Sequence, residues 1–180
     1  MDTLSHGLWG ALYAKAINKK IKEPIKARWA FWWGVAPDIV AFVPIFIYEF
    51  YLRVFGKGGM LHPPTGEIEP WTPGLGTMSD FTQLAYSFTH SAVIFLLVVI
   101  LYYAFYKKIP WVLGGWLIHI VLDIFSHSYA FYATPILFPI SGWRFDGLAW
   151  GMHWWMSAIN YGVLLVIFLF LKYRKQSSSL

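Results

Sequence analysis

Residues 119–127 read His119-Ile120-Val121-Leu122-Asp123-Ile124-Phe125-Ser126-His127. Their spacing decides how the rest of the chain is read. His119, Asp123 and His127 are four and four apart, so in a helix they form one stripe, about a turn between neighbours. The stripe lies inside an apolar segment running from Trp111 to about Phe131. Ionisable side chains in an apolar helix of membrane length are expensive and usually functional. Two imidazoles and a carboxylate on one face are also a set of metal ligands. The competing reading is three polar residues hydrogen-bonded to their neighbours in a helix bundle.

Outward from that stripe the chain is apolar. Of its 180 residues 58% are hydrophobic, 21% aromatic with 11 Trp, and only 13% charged. A soluble domain carries about twice that charge fraction. The composition therefore predicts an all-α polytopic membrane helix bundle forming one integral membrane domain over 1–180, with the lipid bilayer as its surroundings. There is no cysteine, which excludes a disulfide framework and a thiolate metal site. A metal would be held by His, Asp or Glu, which suits zinc or a harder divalent cation. The net charge of +5 is not a nucleic-acid footprint, because the basic residues flank apolar segments.

About five apolar helices are expected. The first, residues 2–18, is short; Asp2 or Thr3 can cap it. Its Gly7/Ala11 and Gly10/Ala14 pairs favour close helix contact. A basic connection, 19–28, leads to a second segment over 29–52, with Asp38 in its middle third after Pro37. Residues 53–80 are rich in Gly and Pro and read as an outward loop, a lid or an entrance. His62, before two prolines, reads as a loop residue rather than a ligand. The third helix, 81–106, carries Thr89-His90-Ser91; Lys107, Lys108 and Pro110 separate it from the fourth. Residues 132–152 are a second outward loop holding Arg144 and Asp146, either a surface ion pair or a guanidinium for an anionic substrate. His153 reads as interfacial. The last segment covers 154–171, and 173–180 is a disordered tail.

Eleven of the fourteen Lys and Arg residues fall in the connections after the first and third helices and after the fifth. If every segment spans, these share one face. The positive-inside rule makes that face cytoplasmic and puts the N-terminus outside. Asp38, His90 and His119 then lie about ten residues into their helices. At 1.5 Å per residue that is about 15 Å, near the bilayer centre. Asp123, His127 and His6 approach from the outer side. Six ionisable residues from four segments are thus expected to meet in one cavity.

Several stretches together carry a family resemblance: Asp2-Thr3-Leu4-Ser5-His6-Gly7-Leu8-Trp9-Gly10, Pro37-Asp38, Thr89-His90-Ser91, and the 119–127 stripe running into residues 134–150, TPILFPISGWRFDGLAW. In these the chain resembles the YdjM-type family of membrane-bound metal-dependent hydrolases of the inner membrane, over nearly its whole length. The family has a distant similarity in motif style to zinc-dependent phospholipase C and related phosphodiesterases. The resemblance implies a helical membrane fold and a metal site built from these His and Asp residues.

The expected chemistry is hydrolysis of a phosphoester, or another ester of a lipid or amphiphile, by a metal-activated water. His6, Asp38, His90, His119 and Asp123 are the expected ligands of one or two divalent ions, zinc first. His127 is a further ligand or general acid, and Arg144 the anion-binding group. Two other functions compete: a divalent-cation transporter or channel, and a non-catalytic membrane protein with a structural metal. The wholly apolar stretch Ile94–Leu101 disfavours an ion path.

Overall fold

The computed structural model describes residues 1–55, 76–130 and 132–177. Six α-helices form there: α1 (Thr3–Ile17), α2 (Ala27–Val54), α3 (Gly76–Thr89), α4 (Ala92–Tyr106), α5 (Gly114–Ser126) and α6 (Trp154–Ser177). Short 3-10 turns precede α5 and α6 at Trp111–Leu113 and Trp150–Met152. His62 and most of the first long loop lie outside the described residues.

Each boundary has a local cause. Asp2 caps α1 by accepting from the Ser5 N–H at 3.0 Å, satisfying one of the donors that a helix start leaves unpaired. The apolar stretch 81–106 is not one helix. It breaks after Thr89, and α3 and α4 meet at a bend of 56°. Ser91 is the reason on the α4 side. Its Oγ accepts from Val93 N and Ile94 N, at 3.1 and 3.3 Å, and starts a new helix inside an unbroken apolar run. The fourth apolar segment also stops early. α5 ends at Ser126, and His127 is its C-cap in extended backbone. The carbonyls at that end are taken by another segment: Gly147 N donates to His127 O at 2.9 Å and Leu148 N to Phe125 O at 3.0 Å. At the C-terminal end, α6 continues through Ser177, into the stretch expected to be a disordered tail.

Among the described residues two helical stretches are long and apolar enough to cross a membrane, Ala27–Val54 and Trp154–Tyr173; the bent α3–α4 pair makes a third if counted as one span. α1 and α5, with 15 and 13 residues, reach about 22 and 20 Å, short of a hydrocarbon core of about 30 Å. Large apolar side chains face outward along α2 (Trp32, Phe46, Ile47), α4 (Leu96, Ile100) and α6 (Val166, Phe170). Such surface is tolerable against lipid and a liability in water.

The short helices are pinned by backbone approach. A Cβ added at Gly10 of α1 would lie 2.3 Å from the carbonyl oxygen of Ala30 in α2. One added at Gly115 of α5 would lie 2.1 Å from the same oxygen. At Gly34 of α2 it would lie 2.5 Å from His6 O. Three helix backbones therefore touch along one seam, the geometry that small residues permit within a bilayer. The small residues of α1 serve as expected, with Gly7, Gly10 and Ala14 all buried. Beside the seam, Phe95, Leu113, Trp116 and Ile120 form the apolar core.

The connections rich in basic residues gather at one end. Lys108 Nζ lies 3.5 Å from Glu23 Oε1, joining the connection after α4 to the one after α1. Lys15 lies over the Phe168 ring of α6 at 4.5 Å. At the other end the 132–149 segment folds in. Thr134 is fully buried, and Ala92 N donates to Ile136 O at 2.9 Å. Ser91 Oγ donates to Phe138 O at 2.5 Å.

Candidate metal centre

Four side chains meet where the seam faces the α3–α4 break. Asp38 comes from α2, His90 from the break itself, and His119 and Asp123 from α5. Each offers a ligand atom within 4.8 Å of all the others, and all four residues are buried. The convergence expected from depth alone is therefore present for the three central helices.

His90 Nε2 and His119 Nε2 are 2.8 Å apart. His119 Nε2 lies 3.1 Å from Asp123 Oδ2 and 3.6 Å from Asp38 Oδ1. His90 Nε2 lies 3.4 and 3.5 Å from the same two oxygens. Ligand atoms of a tetrahedral zinc with bonds of about 2.0–2.1 Å sit about 3.3 Å apart, and these separations bracket that value.

The other ring nitrogens fix what the Nε2 atoms present. His119 Nδ1 is 2.7 Å from Gly34 O, and a carbonyl can only accept, so Nδ1 carries the proton. His90 Nδ1 is 3.1 Å from Tyr86 O and 2.9 Å from Thr89 Oγ1. The Thr89 hydroxyl donates to Ala85 O at 2.9 Å, so it too accepts from His90. In their neutral form both imidazoles turn a lone pair on Nε2 toward each other and toward two carboxylates. Four electron-rich atoms facing one point in a buried space repel unless a cation joins them. Histidine ligands held through the opposite nitrogen by a carbonyl are the usual outer support of a metal site. The donor set thus fits a divalent ion.

The remaining expected residues surround this set. His6, fully buried, packs against His119 with ring centroids 3.8 Å apart and the rings tilted by 33°. Its Nε2 is 3.0 Å from Asp123 Oδ1, on the opposite side of that carboxylate from His90 and His119. His127 is not on the helical stripe, because α5 ends one residue before it. Its Nε2 still lies 3.4 Å from Asp123 Oδ1, while Nδ1 donates to Tyr132 O at 3.0 Å. Arg144 donates from Nη1 to Ala133 O at 3.1 Å. Asp146 accepts from Tyr129 N at 3.0 Å. Both are thus engaged with backbone, at Tyr129 and Ala133, and of the two alternatives the ion pair between them does not form. His153 pairs its ring with Trp155, centroids 5.6 Å apart.

Three supporting residues were not legible as such. Thr3 donates from Oγ1 to Asp38 Oδ2 at 2.7 Å, fixing the carboxylate so that Oδ1 faces the histidines. Tyr86 is buried between His90 and His127 and donates to Tyr132 O at 2.7 Å. Trp116 donates from Nε1 to Thr89 O at 2.6 Å, satisfying a carbonyl at the helix break. Only the position of Tyr86, four residues before His90 on one helix face, was a signal available in the sequence.

No family model matches the chain, and no curated protein or solved structure matches it.

Proposed function

We propose that this chain is a membrane-embedded metal-dependent hydrolase of the YdjM type, acting on a phosphoester or another ester of a lipid or amphiphile. The observation that carries the reading is the pair of Nε2 lone pairs of His90 and His119, set 2.8 Å apart against the carboxylates of Asp38 and Asp123. Those four residues would hold a divalent ion, zinc first. When bound, such an ion supplies a water acidic enough to ionise near neutral pH and polarises a substrate oxygen.

The chain's own residues do the rest. Gly34 O, Tyr86 O and Thr89 Oγ1 keep the histidines in the ligating tautomer. Thr3 orients Asp38. His127, anchored through Nδ1, presents Nε2 beside Asp123 and can take or return a proton there. Arg144 is the anion-binding group of this reading, its guanidinium anchored on Ala133 O.

In this reading the basic end faces the cytoplasm, the N-terminus lies outside, and the membrane is the inner one. Support comes from the Glu23–Lys108 contact and from Lys15 over Phe168, which draw the basic connections to one face as the positive-inside rule requires. A reporter fused after Leu180 should then behave as cytoplasmic; external behaviour would reverse the orientation.

One observation favours a structural metal instead: His90, His119 and Asp123 are completely buried. Zinc content and hydrolysis separate the two readings. Purified protein in detergent should carry zinc, lose it in His119→Ala, and cleave a chromogenic phosphodiester or carboxylic ester in mixed micelles in a chelator-sensitive way. Full zinc content in His119→Ala would overturn the metal centre. Zinc lost in that variant, with no ester cleaved by the wild type, would leave the structural reading. Transport is disfavoured by Phe95, Leu113, Trp116 and Ile120, which pack as a continuous apolar core beside the site.

A further inference from the structure

The Asp123 carboxylate has two faces, and only one belongs to the four-residue set. Oδ2 faces His90 and His119, at 3.4 and 3.1 Å. Oδ1 faces His6 Nε2 at 3.0 Å and His127 Nε2 at 3.4 Å. Ser126 Oγ stands 3.5 Å from that same oxygen.

His6 is the anomaly. It is completely buried; its Nδ1 has no hydrogen-bond partner, and its Nε2 meets only Asp123 Oδ1, at 3.0 Å and outside hydrogen-bond geometry. An imidazole stripped of water with a nitrogen left unsatisfied is costly to bury. The seam nevertheless holds it there: the His6 carbonyl is the atom that Gly34 must lack a side chain to meet. His127 adds a second aimed nitrogen. Its Nδ1–H is spent on Tyr132 O, which leaves Nε2 as the acceptor on the Asp123 side.

We propose that the His6 side of Asp123 is a second divalent-cation position, with His6, His127 and Asp123 Oδ1 as its protein ligands and the Asp123 carboxylate bridging it to the first. The inference rests on the metal centre proposed above and extends it to a pair. Bridged ions in two-metal hydrolytic sites stand about 3.5–4 Å apart, a span one carboxylate covers through its two oxygens. Three protein ligands would leave a tetrahedral ion an open place for a water or a substrate oxygen beside the first ion. The Met1 nitrogen lies on the same atoms, 2.8 Å from Asp123 Oδ1 and 3.0 Å from His127 Nε2. It would withdraw when an ion enters. Met1 precedes α1, which starts at Thr3, so that movement needs no helix to shift.

The test uses the full chain in detergent, dialysed against Zn²⁺ alone, with zinc per chain measured by plasma mass spectrometry. Two zinc per wild-type chain are expected. His6→Asn and His127→Asn should each fall to one, and Asp123→Asn below one. One zinc per wild-type chain, unchanged in His6→Asn, overturns the second position and leaves the first intact. No zinc in the wild type overturns the first reading as well. X-ray absorption at the zinc edge of the wild type needs no variant to fold: a zinc–zinc vector near 3.5–4 Å is expected, and its absence at full loading overturns the pair.

Discussion

The two walls of the candidate metal centre are built by opposite means. One wall is the seam of α1, α2 and α5, which carries His6, Asp38, His119 and Asp123. It is set by contact between backbones, at glycines where a Cβ would meet a carbonyl oxygen at 2.1–2.5 Å. The other wall is the α3–α4 break with the 132–149 segment; it carries His90 and holds His127, the C-cap of α5. It is set by hydrogen bonds: Ser91 to Phe138 O, Ala92 N to Ile136 O, Tyr86 to Tyr132 O, Gly147 N to His127 O. The first wall fixes distances, because packed backbones cannot yield. The second fixes orientations, because each polar group in an apolar setting must find a partner. A site that needs both ligand spacing and imidazole tautomers uses both.

Breaking the first wall should have the largest effect. Gly115→Leu places a side chain against Ala30 O and Gly34 N, at 2.1 and 3.1 Å from its Cβ. Backbone cannot move aside as a side-chain tip can. The expected cost is about 3 kcal/mol or more, read as loss of both zinc and a cooperative thermal transition in detergent. A variant that melts like the wild type would show that the seam does not set the distances.

The second wall should yield more gently. Ser91→Ala removes the cap of α4 and strands Phe138 O. The expected loss is about 2 kcal/mol, with zinc retained because the seam ligands stay in place. Thermal unfolding with and without chelator checks both parts. Zinc loss at unchanged stability would make Ser91 part of the site rather than of its frame.

Tyr86→Phe deletes the hydroxyl that meets Tyr132 O and His127 Nδ1. It should cost about 1 kcal/mol and weaken zinc retention only on the His127 side. Stoichiometry against competing chelator reads this. An equal loss of all zinc would mean that the break, not the seam, governs both positions.

Gly162→Ala is the control that sharpens the contrast. This glycine lies on α6 with nothing within 4 Å of an added Cβ. The change should stabilise α6 by about 1 kcal/mol or less, through helix propensity alone, and a lowered melting temperature would place an unseen contact on that face.

The sequence by itself determined the class of the molecule. The apolar content, the scarcity of charge and the absence of cysteine lead to membrane-type helices with His, Asp or Glu as metal ligands. The four-residue spacing of His119 and Asp123 put them on one face of α5, since helical periodicity is a local property. The small residues of α1 marked a close contact for the same reason. What the tertiary structure decided is everything that depends on partners distant in the chain. The 81–106 run breaks at Ser91 because Phe138 and Ile136, more than forty residues on, receive the groups the break exposes. Hydropathy alone cannot show such a break inside an apolar run. α5 stops before His127 because Gly147 and Leu148 take its last carbonyls. Thr3, Tyr86 and Trp116 support the centre through hydrogen bonds whose acceptors no local pattern names. Ligand types and their helix faces were thus written locally. Which Nε2 lone pairs meet, and on which oxygen of Asp123, follows only from how the backbones touch.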